Sequence, residues 1–561
     1  MTYFAETDAR NKKIKFGIKA KDRLKHVYVI GKTGMGKSTL LENMAIQDIQ
    51  NGNGMAFIDP HGGTAEKLLD YVPESRIKDV LYFAPFDLEY PISFNVIEDI
   101  GLDKRHLVVN GLMSAFEKIW VDAWSARMAY ILNNTLLALL EYPGATLLGV
   151  NRMLSDKDYR KKIVDNVKDP TVRSFWVDEF AKYTDKYASE ATPAIQNKVG
   201  QFTSNPLVRN LVGQSQSSFD IRKFMDEKKI LIINLSKGKV GEGNSNLIGS
   251  MLITKIYLAA MSRADKSEAD LAKLPNFYLY VDEFQTFANK SFADILSEAR
   301  KYKLNLTIAH QYIEQMEEEV RNAVFGNVGT MITFRVGAFD SEVLEKEFAP
   351  TFMAADLVNL GFAQIYLKLM IDGVSSQPFS ATTMSPITRP EISFRDAVIK
   401  SSRDQFGRPR ALVEKDIIDW HNLGTPREVR QQFPLNPTEQ SKPKREENRE
   451  NKKDELIKIE KSEINENRQV FLKAQEELRQ KEMSMSNLRK QEINKKNPNK
   501  ENRASLKDAL ADVLKEAKDT KMPFVDKPHR VEQKRVEEPP HKKEEENRNE
   551  IPEKVLKDLL K

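Results

Sequence analysis

The stretch that decides the fold runs from Val27 to Thr39 and reads VYVIGKTGMGKST. In it, Gly31 is followed by four residues and then by Gly36-Lys37-Ser38, which is the spacing of a phosphate-binding loop. Glycines let the backbone turn so that its N–H groups point at phosphates, and the lysine neutralises charge between the β- and γ-phosphates. The β-type residues before the loop and the apolar helical stripe after it complete the expected context.

This motif assigns the residues that contact the ligand. Lys37 is expected to contact the phosphates, and Ser38 to offer its hydroxyl to Mg²⁺. The alternative is a glycine-rich turn that binds no ligand. The residues assigned to nucleotide binding are Gly31, Lys32, Thr33, Gly34, Met35, Gly36, Lys37, Ser38 and Thr39.

Composition limits the class of protein. The 561 residues can form several domains, and the lack of cysteine excludes disulfides and thiolate metal sites. Residues 441–561 contain 32 Lys/Arg and 27 Asp/Glu and so carry the whole net charge of +5. A DNA-binding surface on the rest of the chain must therefore come from local patches. Neither a signal peptide nor a run of about eighteen apolar residues is present, so we expect a cytoplasmic protein with no transmembrane segment of its own.

Apolar periodicity predicts an α/β fold with a mainly parallel central sheet and an inserted all-α domain. Strands are expected at 27–30, 55–59, 80–83, 230–235, 276–281, 304–309, 330–336 and 365–371. The predicted divisions are α/β residues 1–102, the all-α insertion 103–225, α/β residues 226–395, a linker 396–440 and a charged tail 441–561.

Two segments each leave two interpretations open. The insertion carries aromatic residues at helical spacings, which we expect to form core, although such rings also stack on bases. The stretch Lys237–Asn246 is rich in glycine and basic at Lys237 and Lys239, so it is expected to be a solvated loop, with phosphate contact as the alternative. The aromatic residues are Trp120, Trp124, Phe175, Trp176 and Phe180.

The tail is the most highly charged part of the chain. Nearly half of its residues are charged and few are aromatic, which predicts a disordered or partly helical segment. Ser505–Lys518 and residues 554–561 have short apolar stripes at helical spacing. They are either partner-docking helices or nascent helices without a partner.

A second motif lies far along the chain. Asn276–Glu283, NFYLYVDE, is an apolar strand that ends in two carboxylates. This pattern places Asp282 beside Mg²⁺ and Glu283 where it orients or deprotonates a water. Together with Lys37, the acidic pair predicts an ATPase that uses ATP and Mg²⁺. The insertion must then loop out between strands that meet in space.

Phe292–Gln311 reads as a helix followed by a strand. The strand ends at Gln311, which is predicted to sense or position the γ-phosphate. Arg300 closes the helix. It is either an arginine finger that reaches a neighbouring subunit's nucleotide or an ordinary solvated cation at a helix C-terminus.

With these motifs the chain resembles the coupling-protein family of conjugative type IV secretion (TraG/TraD-like), within the HerA/FtsK superfamily of ring-forming P-loop ATPases that pump DNA. The resemblance covers about residues 13 to 390. It is carried by GKTGMGKSTL at 31–40, IDPHGG at 58–63, ILIINLSKGKVGEGNSNLIGSML at 230–252, YVDEFQTF at 280–287 and LSEARKYKLNLTIAHQY at 296–312.

The resemblance implies a RecA-like motor domain, a hexameric ring and ATP-driven movement of DNA through a central pore. It also implies that the all-α domain faces the transferred substrate. DNA is the implied partner, and the all-α domain or the tail is the implied contact for a relaxase or secretion-system components. The family's functional residues fall on the Walker lysine Lys37, the acidic pair Asp282 and Glu283, the finger Arg300 and the sensor Gln311.

Two features depart from the family pattern. Many members anchor the ring with N-terminal transmembrane helices, whereas here only about a dozen residues precede the strand-like segment KIKFGI. Either a partner holds the protein at the inner face of the membrane, or it works unanchored in the cytoplasm, or an upstream segment is absent from the sequence. The second departure is the charged tail, which a motor does not need.

Three functions are compatible with the sequence. The first is an ATP-hydrolysing DNA translocase that acts in DNA transfer or type IV secretion. The second is a type IV secretion ATPase that moves protein, and the third is a nucleotide-gated recruitment factor. A salt-sensitive stimulation of hydrolysis by DNA would distinguish the first from the second. Glu283 argues against the third.

Overall fold

A large mixed sheet organises the protein, as seen in a computed structural model that describes residues 1–8, 12–184 and 190–422. The charged tail 441–561, its two amphipathic segments and the end of the predicted linker lie outside the described residues. The strands, numbered in chain order, are β1 (Thr2–Glu6), β2 (Lys15–Ile18), β3 (Val27–Ile30), β4 (Gly54–Asp59), β5 (Val80–Phe83), β6 (Ile230–Asn234), β7 (Phe277–Val281), β8 (Leu304–His310), β9 (Thr330–Thr333), β10 (Gln364–Lys368), β11 (Met370–Ile371), β12 (Val374–Ser375) and β13 (Phe379–Thr383).

Eleven of these strands form one sheet in the order β2-β1-β13-β10-β9-β3-β8-β7-β4-β6-β5. The seven strands from β9 to β5 pair in parallel, and the others pair antiparallel. The predicted mainly parallel α/β fold is confirmed. Because parallel strands end at the same edge, the segments that follow β3, β8 and β7 lie side by side.

Helices cover both faces of this sheet. Along β3 the side chains alternate, so that Val27 and Val29 join one hydrophobic cluster and Tyr28 and Ile30 join the other. The α-helices are Lys37–Gln50, Gly63–Leu68, Arg105–Ile119, Ala126–Leu140, Gly149–Ser155, Lys157–Asn166, Pro170–Ser174, Pro193–Ser204, Pro206–Val212, Ile221–Asp226, Lys237–Val240, Glu242–Met261, Glu268–Lys273, Ser291–Glu298, Glu318–Asn327, Ala338–Phe348, Ala354–Val358, Arg395–Phe406 and Arg410–Asn422.

The segment 103–225 is helical, and the structure shows no strand in its described parts, 103–184 and 190–225. Trp120, Phe175, Trp176 and Phe180 are buried, as expected of core, and Trp124 is half-buried against the same core. Trp120 stacks on Phe116 with ring centroids 4.4 Å apart, and Trp176 lies 4.7 Å from Phe180. The four buried rings therefore take part in helix packing and are not free to stack on bases.

The expected loop at Lys237–Asn246 is wrong. Residues Lys237–Val240 and the first turn of Glu242–Met261 are helical, with Gly241 at φ 88° between them. Lys237 pairs with Glu242 at 2.9 Å and Lys239 pairs with Glu66 at 2.8 Å. Both lysines thus have carboxylate partners within the fold, which disfavours the phosphate-contact alternative.

Two further segments differ from expectation. The start of the predicted linker 396–440 forms part of two helices, because Val398, Ser402, Val413 and Ile417 are buried at helical spacing. At the N-terminus, β1 enters the sheet between β2 and β13 and buries Phe4, although the stretch of residues 1–13 is largely polar. One strand face is enough to bury such a segment.

One helix of the described residues, Glu242–Asp265 with its final turn, is long and apolar enough to cross a membrane by length and composition. Its best window has a mean hydropathy of 1.2, and 67% of that window is buried inside the molecule. Core helices also satisfy these criteria of length and composition, and the burial of this helix is typical of a core helix.

A buried ion pair fixes the helix after the phosphate-binding loop to the sheet. Arg23 donates to both carboxylate oxygens of Asp48 at 2.9 Å and to the Tyr280 hydroxyl at 2.7 Å. Its guanidinium also lies 3.6 Å from the Tyr278 ring centroid. The pair therefore links the Lys37–Gln50 helix to β7, the strand that precedes Asp282.

We predict that Arg23→Met lowers the free energy of unfolding by about 3–5 kcal/mol, because it leaves the Asp48 carboxylate buried without its partner. The double variant Arg23→Met/Asp48→Asn should recover part of this loss. Thermal melting followed by circular dichroism measures both. Lys161→Met, which removes an ion pair with side chains 75% and 56% exposed, is the control. A melting temperature equal to that of the wild type would contradict the prediction.

Candidate functional site

The phosphate-binding loop connects β3 to the Lys37–Gln50 helix. Gly34 and Gly36 have φ values of 77° and 114°, which L side chains rarely adopt. A Cβ on Gly36 would lie 3.3 Å from the Phe334 ring, so that ring closes one side of the loop. The loop therefore needs glycine for both its backbone turn and its packing, and it delivers the N-terminus of a 14-residue helix to the sheet edge.

Lys37 extends back into its own loop. Its Nζ donates to the carbonyls of Gly31 at 2.6 Å and Lys32 at 3.1 Å. Burial lowers the pKa of Lys37, while the nearby carboxylates of Glu283 and Asp282 oppose that shift. The charged groups of the two sequence motifs are thus close in space, as expected if the strands that carry them meet and the insertion loops out between them.

Asp282 meets the loop directly. Its Oδ2 accepts a hydrogen bond from the Ser38 hydroxyl at 2.7 Å, and its Oδ1 accepts one from the Glu283 amide at 2.9 Å. Burial raises the pKa of Asp282, and the charges of Glu283 and Asp59 raise it further. Carboxylate and hydroxyl oxygens are ligands that suit Mg²⁺, and the positive charge of the ion would offset the cost of burying the carboxylate charge.

The carboxylate of Glu283 has three polar side chains around it, Gln285, Gln311 and His61. Gln285 Nε2 donates to its Oε2 at 2.5 Å, and Gln311 Nε2 donates to its Oε1. Gln311 in turn accepts a hydrogen bond from the Thr33 hydroxyl at 3.0 Å, which ties the carboxylate to the loop. His61 Nε2 lies 3.9 Å from Oε1. The residue itself adopts a left-handed backbone with φ 49°.

These contacts set the charge of Glu283. Burial opposes ionisation, but His61, Gln311, Gln285 and the Lys37 charge outweigh it and lower the pKa to about 2. The pKa of His61 is raised in return, mainly by its contact with Glu283. A carboxylate with such a low pKa stays charged at neutral pH and offers hydrogen-bond acceptors at this edge of the sheet.

Arg300 lies at the opposite edge of the sheet. It belongs to a short 3-10 turn, Ala299–Tyr302, directly before β8, whereas Gln311 directly follows that strand. Seven residues of strand span roughly 20 Å. Arg300 is exposed. It lies near His26, which directly precedes β3: burial lowers the pKa of His26 to about 4, and the positive charge of Arg300 contributes to this shift. The structure therefore does not bring Arg300 to the site of its own chain.

His61 and Gln285 are functional candidates that the sequence motifs did not assign. Each lies in a stretch quoted for the family resemblance, two residues beyond a strand-end carboxylate. That position was the available signal, because residues just past neighbouring parallel strands share one edge. Only the structure shows that both side chains converge on Glu283.

A phosphate-binding loop beside an acidic pair, at the carboxyl edge of a mainly parallel sheet, defines a P-loop NTPase with a RecA-like fold. The family described as "Type IV secretory system Conjugative DNA transfer" has a sequence model that matches residues 4–331. The chain belongs to this family.

Solved structures with a similar fold include the plasmid coupling protein TrwB in complex with ADP and Mg²⁺, with a TM-score of 0.50 and 15% identity over 67% of this chain and 88% of that one. Another is VirB4 of Thermoanaerobacter pseudethanolicus, with a TM-score of 0.46 and 12% identity over 68% of this chain and 96% of that one. Among curated proteins, none matches this sequence.

We predict that Gly36→Ala weakens binding of a fluorescent ATP analogue by about tenfold or more, because its Cβ requires both a strained φ and a shift of Phe334. Gly52→Ala is the matched control. Gly52 also has a positive φ, 74°, but has open space around it and lies beyond the far end of the helix. It should keep wild-type affinity. Equal affinities for Gly36→Ala and wild type would contradict the role of the loop.

Proposed function

We propose that this protein is an ATP-hydrolysing DNA translocase that acts in conjugative DNA transfer or type IV secretion. The observation that carries the proposal is the contact of Ser38 with Asp282, next to a Glu283 carboxylate that Gln285, Gln311 and His61 hold in place. Family membership supports a role in DNA transfer, and the site supports ATP hydrolysis as the energy source.

Residues Gly31 to Thr39 bind ATP in this proposal. The similar fold of TrwB, which was solved in complex with ADP and Mg²⁺, supports nucleotide and Mg²⁺ as ligands. Ser38 and Asp282 would hold Mg²⁺, which supplies positive charge to the phosphate oxygens when bound. Lys37 leaves its two loop carbonyls and donates to the phosphates. The two carbonyl contacts hold Lys37 in place within the loop before ATP binds.

Glu283 is the catalytic carboxylate in this proposal. Its low pKa keeps it charged, so it orients the attacking water by accepting a hydrogen bond. Gln311 is the sensor, because it connects Thr33 of the loop to the carboxylate. A phosphate that displaces the Thr33 contact would change how Gln311 holds Glu283. Nucleotide state and water position are thereby linked through one amide group.

Arg300 acts in trans in this proposal. Its exposure and its position at the far edge of the sheet support contact with a neighbouring subunit's nucleotide, where it stabilises transition-state charge. This requires self-association into a ring, for which we propose six subunits. The ring works in the cytoplasm or at the inner face of the membrane through partners. The all-α segment and the tail contact the DNA, a relaxase or secretion components.

We predict that single- or double-stranded DNA stimulates ATP hydrolysis, with less effect at high salt. Glu283→Gln should lower kcat by about 100-fold or more while retaining nucleotide binding. Steady-state hydrolysis with and without DNA measures this, with Lys37→Ala as the blank. Hydrolysis indifferent to both DNAs would favour a protein-moving ATPase instead. DNA transfer supported by Glu283→Gln would contradict the motor.

We predict that Arg300→Ala lowers hydrolysis by about 1,000-fold and that mixing it with Lys37→Ala restores part of the activity. In mixed rings, the intact loop of one variant meets the intact arginine of the other. Lys301→Ala is the control, since Lys301 pairs with Glu298 of its own chain at 2.6 Å. A mixture as inactive as its components would contradict action in trans.

A further inference from the structure

A lysine of the helical segment contacts the backbone just past the acidic pair. Lys118 lies near the end of the Arg105–Ile119 helix. Its Nζ donates to the carbonyl of Gln285 at 2.7 Å and also to the carbonyl of Ala288. These carbonyls belong to the turn that follows Glu283, so a side chain from the segment 103–225 holds the main chain next to the catalytic carboxylate.

The contact differs from an ordinary surface ion pair. Lys118 makes no salt bridge to any residue that the structure describes, and both of its contacts are backbone oxygens. Burial lowers its pKa to about 8, with the charge of Glu317 opposing the shift. An ammonium group held in such surroundings carries a desolvation cost that its two carbonyl partners must offset.

Other contacts along the same boundary lie farther from Glu283. Lys290 pairs with Glu117 at 3.0 Å, with side chains 54% and 40% exposed, and the hydroxyls of Ser291 and Ser114 are 3.2 Å apart. These contacts dock the helix on the segment after the turn. Lys118 alone of this group contacts the turn itself.

From Lys118 the contacts lead directly to the carboxylate. Gln285 is held at its carbonyl by Lys118, and its own side-chain amide donates to Glu283 Oε2. Phe284, which lies between Glu283 and Gln285 in the sequence, packs on Phe292 with ring centroids 4.5 Å apart and on His310 with ring centroids 6.3 Å apart. The Ser250 hydroxyl of the Glu242–Met261 helix also donates to the Phe287 carbonyl at 3.0 Å. The turn is therefore held by packing and by this contact, and Lys118 adds the contact that comes from the segment 103–225.

We propose that Lys118 is a positioning residue that connects the helical segment to Glu283. When the helical segment is displaced, the Gln285 carbonyl moves with Lys118, and the Gln285 amide changes its hold on the carboxylate. Movement of the segment by bound DNA thus alters the rate of hydrolysis. The identity of that load rests on the proposed function, whereas the mechanical link does not.

The test is Lys118→Met, which keeps the length of the side chain and removes its donors. We expect stimulation by DNA to be lost and kcat to fall by about tenfold, with KM for ATP and the affinity for a fluorescent ATP analogue unchanged. Lys290→Met is the matched control, because it removes a lysine from the same boundary without touching the turn. It should behave as the wild type. Full stimulation in Lys118→Met would overturn the inference.

A second variant covers the case in which Lys118→Met does not fold. Gln285→Met removes the next donor in the sequence of contacts and should reproduce the fall in kcat at constant KM. If both variants fold, their combination should cost little more than either alone, because they act through one contact path. Additive losses would overturn the link.

Failure of the proposed function is distinguishable from failure of this inference. If the wild type hydrolyses ATP but does not respond to DNA, the translocase proposal fails, and basal kcat then decides the role of Lys118. If the basal kcat of Lys118→Met is about tenfold below that of Lys290→Met, the link is supported. If the two variants have the same basal kcat, the link is overturned.

Discussion

Three ionisable groups, Lys37, Asp282 and Glu283, share one partly buried edge of an apolar sheet, and the surrounding structure is arranged to tolerate them. Charges removed from water require partners or hydrogen bonds. Each group meets that requirement differently: the lysine by loop carbonyls, the aspartate by a hydroxyl and a main-chain amide, and the glutamate by two side-chain amides and an imidazole. Parallel pairing of β3, β8, β7 and β4 brings all of these donors to the same edge, so the geometry of the site depends on the strand order.

Local sequence patterns predicted the parts of the site that depend on short segments. The loop spacing and the apolar strand before Asp282 each specify a local structure, and the rule that parallel strands end together brings them into contact. The hold of Gln285 on Glu283 was not predictable, because it depends on a left-handed backbone at the glutamate, a residue type that rarely adopts it. Lys118 could not be found either, since its partners are backbone carbonyls about 170 residues later, which have no sequence signature.

The errors in secondary structure also have physical causes. At Lys237–Asn246, glycine and lysine content suggested a loop, but burial of Val240 and Leu247 and carboxylate partners for both lysines outweighed the low helix propensity. Residues after 395 look like a linker by polarity, yet one buried side chain per turn is enough to hold a helix against the sheet. The Ser402 hydroxyl accepts a hydrogen bond from the Tyr82 amide of β5, which secures the contact. In each case tertiary packing decided against composition.

The pairing of β1 with β13 has a consequence for biosynthesis. Ala5 of the first strand pairs with Thr383. A ribosome needs roughly 20–75 s to make the intervening chain of about 380 residues. During that interval, β1 and β2 can pair only with each other, and the other edge of β1 presents unpaired backbone groups that invite association with other nascent chains. The closing of the sheet is therefore a late event, and the cell must protect an early strand until its partner emerges.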